Sequence, residues 1–349
     1  MRVKNPLRSI FNVVVRRVPI EAQLVVTRRC NLSCGYCTEY DNHSPEVPFE
    51  LLTERIDALH RLGALNIALL GGEPLLHSRI ADIVAYADRR AQVSMTTNGF
   101  LLSDRMIDEL NRAGLSNMQV SIDAARSDPT RYVQKTLKPL RPKLERLAER
   151  AKFDVHCTVV LTPGGHDVAR ELLEELRRYP FYVSLNILHD AKGAVAVDGP
   201  EMEALWNDHF ASGRTFSYLE EEYGRHLLRG ERPEWKCRAG ARFIYVDEHG
   251  ETQLCSAQMG RLQRPIVEYT RSDLDAQRSN HKGCENGCAI LCAYRDSLLD
   301  NSPWQTLRSM ARSIGSGAVL GRKPSPVAAL PAGGEVEVRA RRHLPVVEG

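Results

Sequence analysis

No apolar run in this chain of 349 residues is long enough to span a bilayer. The best early candidate, Ile10 to Val15, is short and stops at Arg16-Arg17. Missing too is the basic, apolar and small-residue succession of a signal peptide, so the sequence reads as cytoplasmic with no integral membrane segment. Charge of one sign is lacking. Forty-seven Lys and Arg stand against 44 Asp and Glu, a net +3 with both signs interspersed, and nothing calls for nucleic acid. A basic cluster at the start (Arg2, Lys4, Arg8, Arg16, Arg17) reads as a solvated face, with contact to anionic lipid or a polyanion as the alternative. Nine cysteines, an odd number without an export signal, argue for reduced thiols and metal sites over a disulfide framework. The length suits one main domain plus a smaller one.

What is present centres on Cys30 to Cys37, Cys-Asn-Leu-Ser-Cys-Gly-Tyr-Cys. Thiolates of Cys30, Cys34 and Cys37 at C-x3-C-x2-C spacing suit three corners of a cubane iron–sulfur cluster, which leaves the fourth iron open to a substrate or cofactor. Zinc competes, although closed zinc sites usually bring paired C-x2-C knuckles and the next cysteine here is Cys157. Reduced core cysteines are the plainest alternative, and three in a polar, turn-rich stretch fit it poorly.

From Glu21 onward the chain repeats a β-branched run, a polar turn and an amphipathic helix. Strands are expected at Ala22–Thr27, Asn66–Leu70, Gln92–Thr96, Met118–Ile122, Val155–Leu161 and Tyr182–Leu188. Helices are expected at Phe49–Leu62, Ser78–Asp88, Ser103–Asn111 with Ser103 as N-cap, and Asp167–Arg177. Six strand–helix units argue for a parallel sheet, as a six-unit partial barrel or an open doubly wound sheet. The unusual residues follow strand ends, where parallel α/β folds place function: the cysteine loop, Gly71-Gly72-Glu73-Pro74, Thr97-Asn98-Gly99, Ser121-Ile122-Asp123 and His189-Asp190.

With Tyr36 just before its last cysteine, the loop resembles the signature of the radical S-adenosylmethionine (radical SAM) superfamily, and Gly71-Gly72-Glu73-Pro74 is similar to that superfamily's glycine-rich motif. The resemblance implies a [4Fe–4S] cluster on Cys30, Cys34 and Cys37 whose open iron chelates SAM. One electron then releases a 5′-deoxyadenosyl radical that abstracts hydrogen from substrate. It also implies SAM contacts from Tyr36, Gly71, Gly72, Glu73, Asn98, Ser121 and Asp123, with Glu73 facing the cationic amine. Outside the resemblance, Thr97-Asn98-Gly99 and Ser121/Asp123 are ordinary caps or turns, Cys157 is a core residue, and His189-Asp190 is a surface pair or a substrate-facing acid and base.

Residues 198–236 read as a connector with helices at Pro200–Ala211 and Phe216–Arg229. Beyond it Cys237 and Cys255 flank a hairpin turning at Asp247–Gly250, followed by Cys284, Cys288 and Cys292 at every fourth residue. The C-x12-G-x4-C spacing resembles the SPASM or twitch extension of radical SAM enzymes, which implies a second, auxiliary [4Fe–4S] cluster. Five cysteines exceed the four one cluster needs, and zinc stays open here.

The expected fold is α/β: a lead-in over 1–19, a partial (β/α)6 TIM-like barrel over 20–197, the connector, a small cysteine-rich auxiliary-cluster domain over 237–315, and a mobile tail over 316–349. The expected activity is hydrogen abstraction from a small molecule, such as oxidation of a sugar or cyclitol alcohol, with a reductant such as flavodoxin or ferredoxin. A peptide maturase is disfavoured because 29 residues precede Cys30. Adenosylation of a hopanoid-type lipid and a non-catalytic iron–sulfur or zinc protein are the other readings. An apolar lining would favour the lipid, and charged residues near His189 a small polar substrate.

Overall fold

A computed structural model describes residues 11–126, 135–317 and 322–326. Arg2, Lys4, Arg8 and most of the expected tail lie outside the described residues. Six parallel strands form the core: β1 (Glu21–Thr27), β2 (Asn66–Gly71), β3 (Gln92–Thr97), β4 (Asn117–Ser121), β5 (Asp154–Leu161) and β6 (Tyr182–Ile187). Between them run α1 (Phe49–Leu62), α2 (Ile80–Asp88), α3 (Asp104–Ala113), α4 (Leu137–Arg150) and α5 (His166–Leu176). The sheet order is 6-5-4-3-2-1, which chooses between the two expected architectures. A doubly wound sheet reverses its order at a switch point. A monotonic order with right-handed crossovers puts every helix on one face, so the sheet curls and its other face becomes a lumen, as in a partial barrel.

Packing follows strand alternation. On the helix side Leu24, Ile67, Leu69, Val93, Met118, Val120, Cys157 and Val159 are completely buried. Cys157 is therefore a core residue, its thiol pushed up to about 12 by burial alone. α1 meets this layer with Leu52, Ile56, Leu59 and Leu62, each worth about 1.5–3 kcal/mol when fully buried. Ser103 caps α3 as expected, its Oγ accepting the Met106 N–H at 3.2 Å; such a cap contributes ~1 kcal/mol.

α4 is absent from the sequence reading. Its Pro139 and Pro142 argue against a helix, but Pro139 falls in the first turn, where no intrahelical N–H bond is lost. Burial of Leu137, Leu140, Leu144 and Leu147 along one stripe offsets the one at Pro142. The expected helix over Phe216–Arg229 shortens to α7 (Glu221–Leu228), after α6 (Pro200–Ala211).

The expected hairpin forms from β7 (Phe243–Val246) and β8 (Glu251–Gln253), with β9 (Arg264–Pro265) beside it. β7 also pairs in parallel with β1, Glu21 to Phe243 through Leu24 to Val246, so the hairpin extends the barrel sheet past its first strand. The chain continues through α8 (Arg271–Ser279), α9 (Leu291–Asn301) and α10 (Pro303–Gly315). Among the described residues no helix is long and apolar enough to cross a membrane.

Candidate active site at the carboxyl rim

β1 delivers the chain into the cysteine loop, and ion pairs fasten that loop. Arg28 pairs with Glu39 at 2.6 Å and with Glu248 at 2.7 Å, and Tyr245 donates to Glu39 at 2.5 Å, which ties the loop to the β7–β8 hairpin. Cys30 N–H donates to Asn42 Oδ1 (2.7 Å) and Cys37 N–H to the Cys34 carbonyl (3.0 Å). Donors also reach the sulfurs. Leu32 N–H approaches Cys30 Sγ and Glu39 N–H approaches Cys37 Sγ, each at 3.4 Å, and Asn98 Nδ2 lies 3.8 Å from Cys30 Sγ. Burial raises all three thiols, Cys34 to about 11 against the opposing charge of Lys135. Three thiols in one loop, two of them with sulfurs met by N–H donors, fit an iron–sulfur cluster, since such bonds tune cluster sulfurs and metal binding displaces the thiol protons.

The two glycines serve the fold. Gly71 has φ +146°, and a Cβ there would lie 2.0 Å from the Thr27 carbonyl oxygen; one on Gly72 would lie 2.2 Å from that of Arg29. What approaches so closely is this chain's own backbone. Gly72 N–H donates to Thr27 O and Glu73 N–H to Arg29 O, both at 2.8 Å, which sets the loop's take-off.

Glu73 differs most from the sequence reading. Its carboxylate is completely buried and accepts from Leu75 N–H (3.0 Å), Thr97 Oγ1 (2.7 Å) and Asn98 N–H (2.7 Å). Burial raises its pKa even so. Three of about four acceptor positions are occupied by protein, so Glu73 acts as a staple between the ends of β2 and β3 and keeps one acceptor position on Oε2 for a further donor. Asn98 is likewise engaged: Nδ2 donates to Asn31 Oδ1 (2.8 Å) and Oδ1 accepts from Phe100 N–H (3.1 Å).

Tyr36 is 39% exposed and donates to both Asp123 oxygens at 2.9 Å. Lys135, which the sequence reading missed, pairs with Asp123 at 3.3 Å and lies 5.0 Å from the Tyr36 ring centroid. Burial raises Asp123, and Lys135 opposes it. Nothing local marks Lys135: it comes to the rim because its carbonyl accepts the Asp123 N–H at 2.8 Å. Ser121 ends β4 half-buried, opposite Thr158. His189 and Asp190 are a surface turn, with Asp190 Oδ1 accepting from Lys192 and Ala194 N–H at 2.8 and 2.9 Å. Those two backbone bonds hold its pKa down, Ala194 first.

The C-terminal cysteines divide four to one. Burial pushes Cys237 up to about 12 and Cys255 up to about 11; each also feels Cys284, and Cys288 feels Cys237, Cys255 and Cys284. Gly287 at φ +73° turns the chain between the last two. Cys292 falls on α9, away from that turn, and the charges nearest it are Glu21, Arg295 and Asp296, with Cys255 behind them. Of the five expected ligands it is the one carried by the helix that begins at Leu291, on the side of Glu21 in β1. Among the described residues no three His, Cys, Asp or Glu side chains gather around one point as a single ion needs; a cubane takes one thiolate at each of its corners.

Residues 24–143 match the Radical SAM superfamily. A probable GTP 3′,8-cyclase of Archaeoglobus fulgidus is 35% identical over 119 residues, covering 34% of this chain and 40% of that protein. A GTP 3′,8-cyclase of Syntrophomonas wolfei is 28% identical over 173 residues, 46% of this chain and 52% of that one. The chain thus spans about half the length of the curated relatives it matches. Among solved structures, SuiB of Streptococcus suis bound to S-adenosylmethionine superposes with a TM-score of 0.58 at 15% identity, covering 79% of this chain and 70% of that one. That likeness shows the fold.

Proposed function

We propose, from the match of residues 24–143 to the Radical SAM superfamily, that this chain is an enzyme that cleaves S-adenosylmethionine reductively and abstracts hydrogen from a small-molecule substrate. Cys30, Cys34 and Cys37 would hold a [4Fe–4S] cluster. When bound, the cluster supplies the electron that splits SAM into methionine and a 5′-deoxyadenosyl radical. The remaining roles belong to the chain. Gly71, Gly72 and Glu73 hold the rim's backbone in place for the methionine end of SAM, with Asn98 fixing the cysteine loop against it. Tyr36, Asp123 and Lys135 form one bonded unit beside Cys34, and with Ser121 they border the space for the adenosine. Cys237, Cys255, Cys284 and Cys288 would hold an auxiliary cluster, and a reductant such as flavodoxin or ferredoxin would supply electrons.

The observation that carries this reading is the cysteine loop itself: three thiols, each on the strand-end rim, two of them met by backbone N–H donors to sulfur. The network of Glu73, Thr97 and Asn98 favours catalysis over a non-catalytic iron–sulfur protein, because it rigidifies the rim beside the cysteine loop. Anaerobic reconstitution with iron and sulfide, then SAM and dithionite, tests it. The wild type forms 5′-deoxyadenosine and Cys34→Ala forms none. A fully loaded wild type that leaves SAM intact, even with cell extract as a substrate source, would overturn the proposal.

A further inference from the structure

The lumen side of the sheet is largely polar, interrupted by Val25, Ala68, Leu70 and Tyr182. Strand register places Gln23, Ala68, Ser94, Asn117 and Asp154 in one row, Thr96, Gln119 and His156 in the next, and Ser121, Thr158 and Ser184 above them. Gln23, Ser94, Thr96, Gln119, Ser121 and Ser184 keep part of their surface accessible, while the helix-side residues between them are sealed. Accessible side chains in the middle of a molecule face an internal cavity. Arg295 says the same: 27% of its side chain is accessible, yet burial is the largest influence on its ionisation.

Among the described residues several polar atoms facing this cavity lack a partner, two of them in adjacent rows. His156 is 5% exposed, stacks on Phe216 (4.1 Å between centroids, 10° between planes) and sets Nε2 3.3 Å from Gln119 Oε1, but its Nδ1 is unpaired. Thr158, 2% exposed and one row nearer the rim, has an unpaired Oγ1. Burial lowers His156 to about 3, so the ring is neutral; with Nε2 donating to Gln119, Nδ1 is an acceptor. Buried polar groups carry a penalty until something bonds them, and a site built that way rejects molecules without the complementary group.

Charge narrows the class. Among the described residues Arg295 is the cation whose charge reaches His156, and it is held by Glu21 (3.0 Å), Glu220 (3.2 Å) and Asp296 (3.4 Å). Among the described residues carboxylates outnumber this cation, which disfavours a polyphosphate, and the Gln, Ser and Thr side chains around His156 would go unpaired against an isoprenoid. We propose that the lumen binds a small, uncharged molecule bearing several hydroxyl or amide groups, with His156 Nδ1 receiving one of its donors and Thr158 Oγ1 bonding a neighbouring group. The proposal rests on the radical SAM reading for what then happens to the molecule, not for its binding.

Calorimetry and nitrogen NMR of histidine-labelled full-length protein test it with myo-inositol, glucose and uridine as neutral probes, and GTP and farnesol as charged and apolar ones. At least one neutral probe binds and moves the His156 ring-nitrogen resonances, GTP and farnesol do neither, and binding weakens about tenfold in both His156→Phe and Thr158→Val. Thr158→Val keeps side-chain shape, so it carries the test should His156→Phe fail to fold. Failure of all three neutral probes, a lumen response to GTP or farnesol, or neutral binding indifferent to both substitutions overturns the proposal. Formation of 5′-deoxyadenosine by the wild type without any probe reports separately on the radical SAM reading.

Discussion

Replacing Gly72 by alanine removes the first iron–sulfur cluster while the rest of the protein stays folded. The added Cβ would lie 2.2 Å from Arg29 O and 2.5 Å from Arg28 O, both backbone atoms with no rotamer to give way. Arg28 and Arg29 lead directly into Cys30, and the same backbone takes the Gly72 and Glu73 N–H bonds. Relief therefore comes by shifting the take-off of the loop and breaking one or both bonds. Overpacking of this kind costs typically ~1–3 kcal/mol, a fraction of the sheet's stability, but it displaces the first ligand relative to the other two. Iron and sulfide analysis after reconstitution gives about half the wild-type content, and SAM cleavage is lost. Gly35→Ala is the control. Nothing lies within 4 Å of a Cβ there, although the position is inside the loop, and iron content stays at the wild-type level. A Gly72→Ala protein with full iron would show that the backbone contact does not set the loop.

The second large effect separates Cys288 from Cys292. Cys288 is buried among Cys237, Cys255 and Cys284, and its carbonyl is fixed by the Tyr223 hydroxyl at 2.8 Å. Cys292, one helical turn on, faces Glu21, Arg295 and Asp296. Cys288→Ser therefore loses the auxiliary iron, about half the total, whereas Cys292→Ser keeps it. Serine retains the size of cysteine, so the difference reports on ligation and not on a cavity. Equal loss in both variants, or loss in Cys292→Ser alone, would move the fourth ligand onto α9.

Much of the barrel is legible in the sequence, because β-branched runs and amphipathic stripes are local signals. Six strands and four of the five interleaved helices follow from them. α4 escapes because Pro139 and Pro142 weigh against a helix in any local reading, whereas tertiary burial of its four leucines decides the matter. The pairing of β7 with β1 escapes as well, since more than 200 residues separate the partners and no short-range pattern encodes their register. At the site, the cysteine spacing is legible because all three ligands lie in one loop. The function of Glu73 is not: its type suggests an exposed anion, and only the arrival of Thr97 and Asn98 on the neighbouring strand turns it into a buried staple. Lys135 is invisible for the same reason, being one more surface-type lysine until the backbone beside Asp123 brings it to Tyr36. The polar lumen stands between these cases. Alternation along each strand hints at Gln23, Ser94, Gln119 and His156, but only the one-sided arrangement of the helices shows that the polar side faces inward.

The central claim is that three loop cysteines hold a cluster whose fourth iron is open to S-adenosylmethionine. The measurement that reaches it most directly is the electron paramagnetic resonance spectrum of the reconstituted, dithionite-reduced protein, recorded with and without SAM. Cys288→Ser serves as background, since it removes the auxiliary signal. The account predicts a reduced [4Fe–4S] signal whose shape changes when SAM is added and which is absent from the Cys34→Ala, Cys288→Ser double variant. A signal that SAM leaves unchanged, in protein with its full complement of iron, would contradict it.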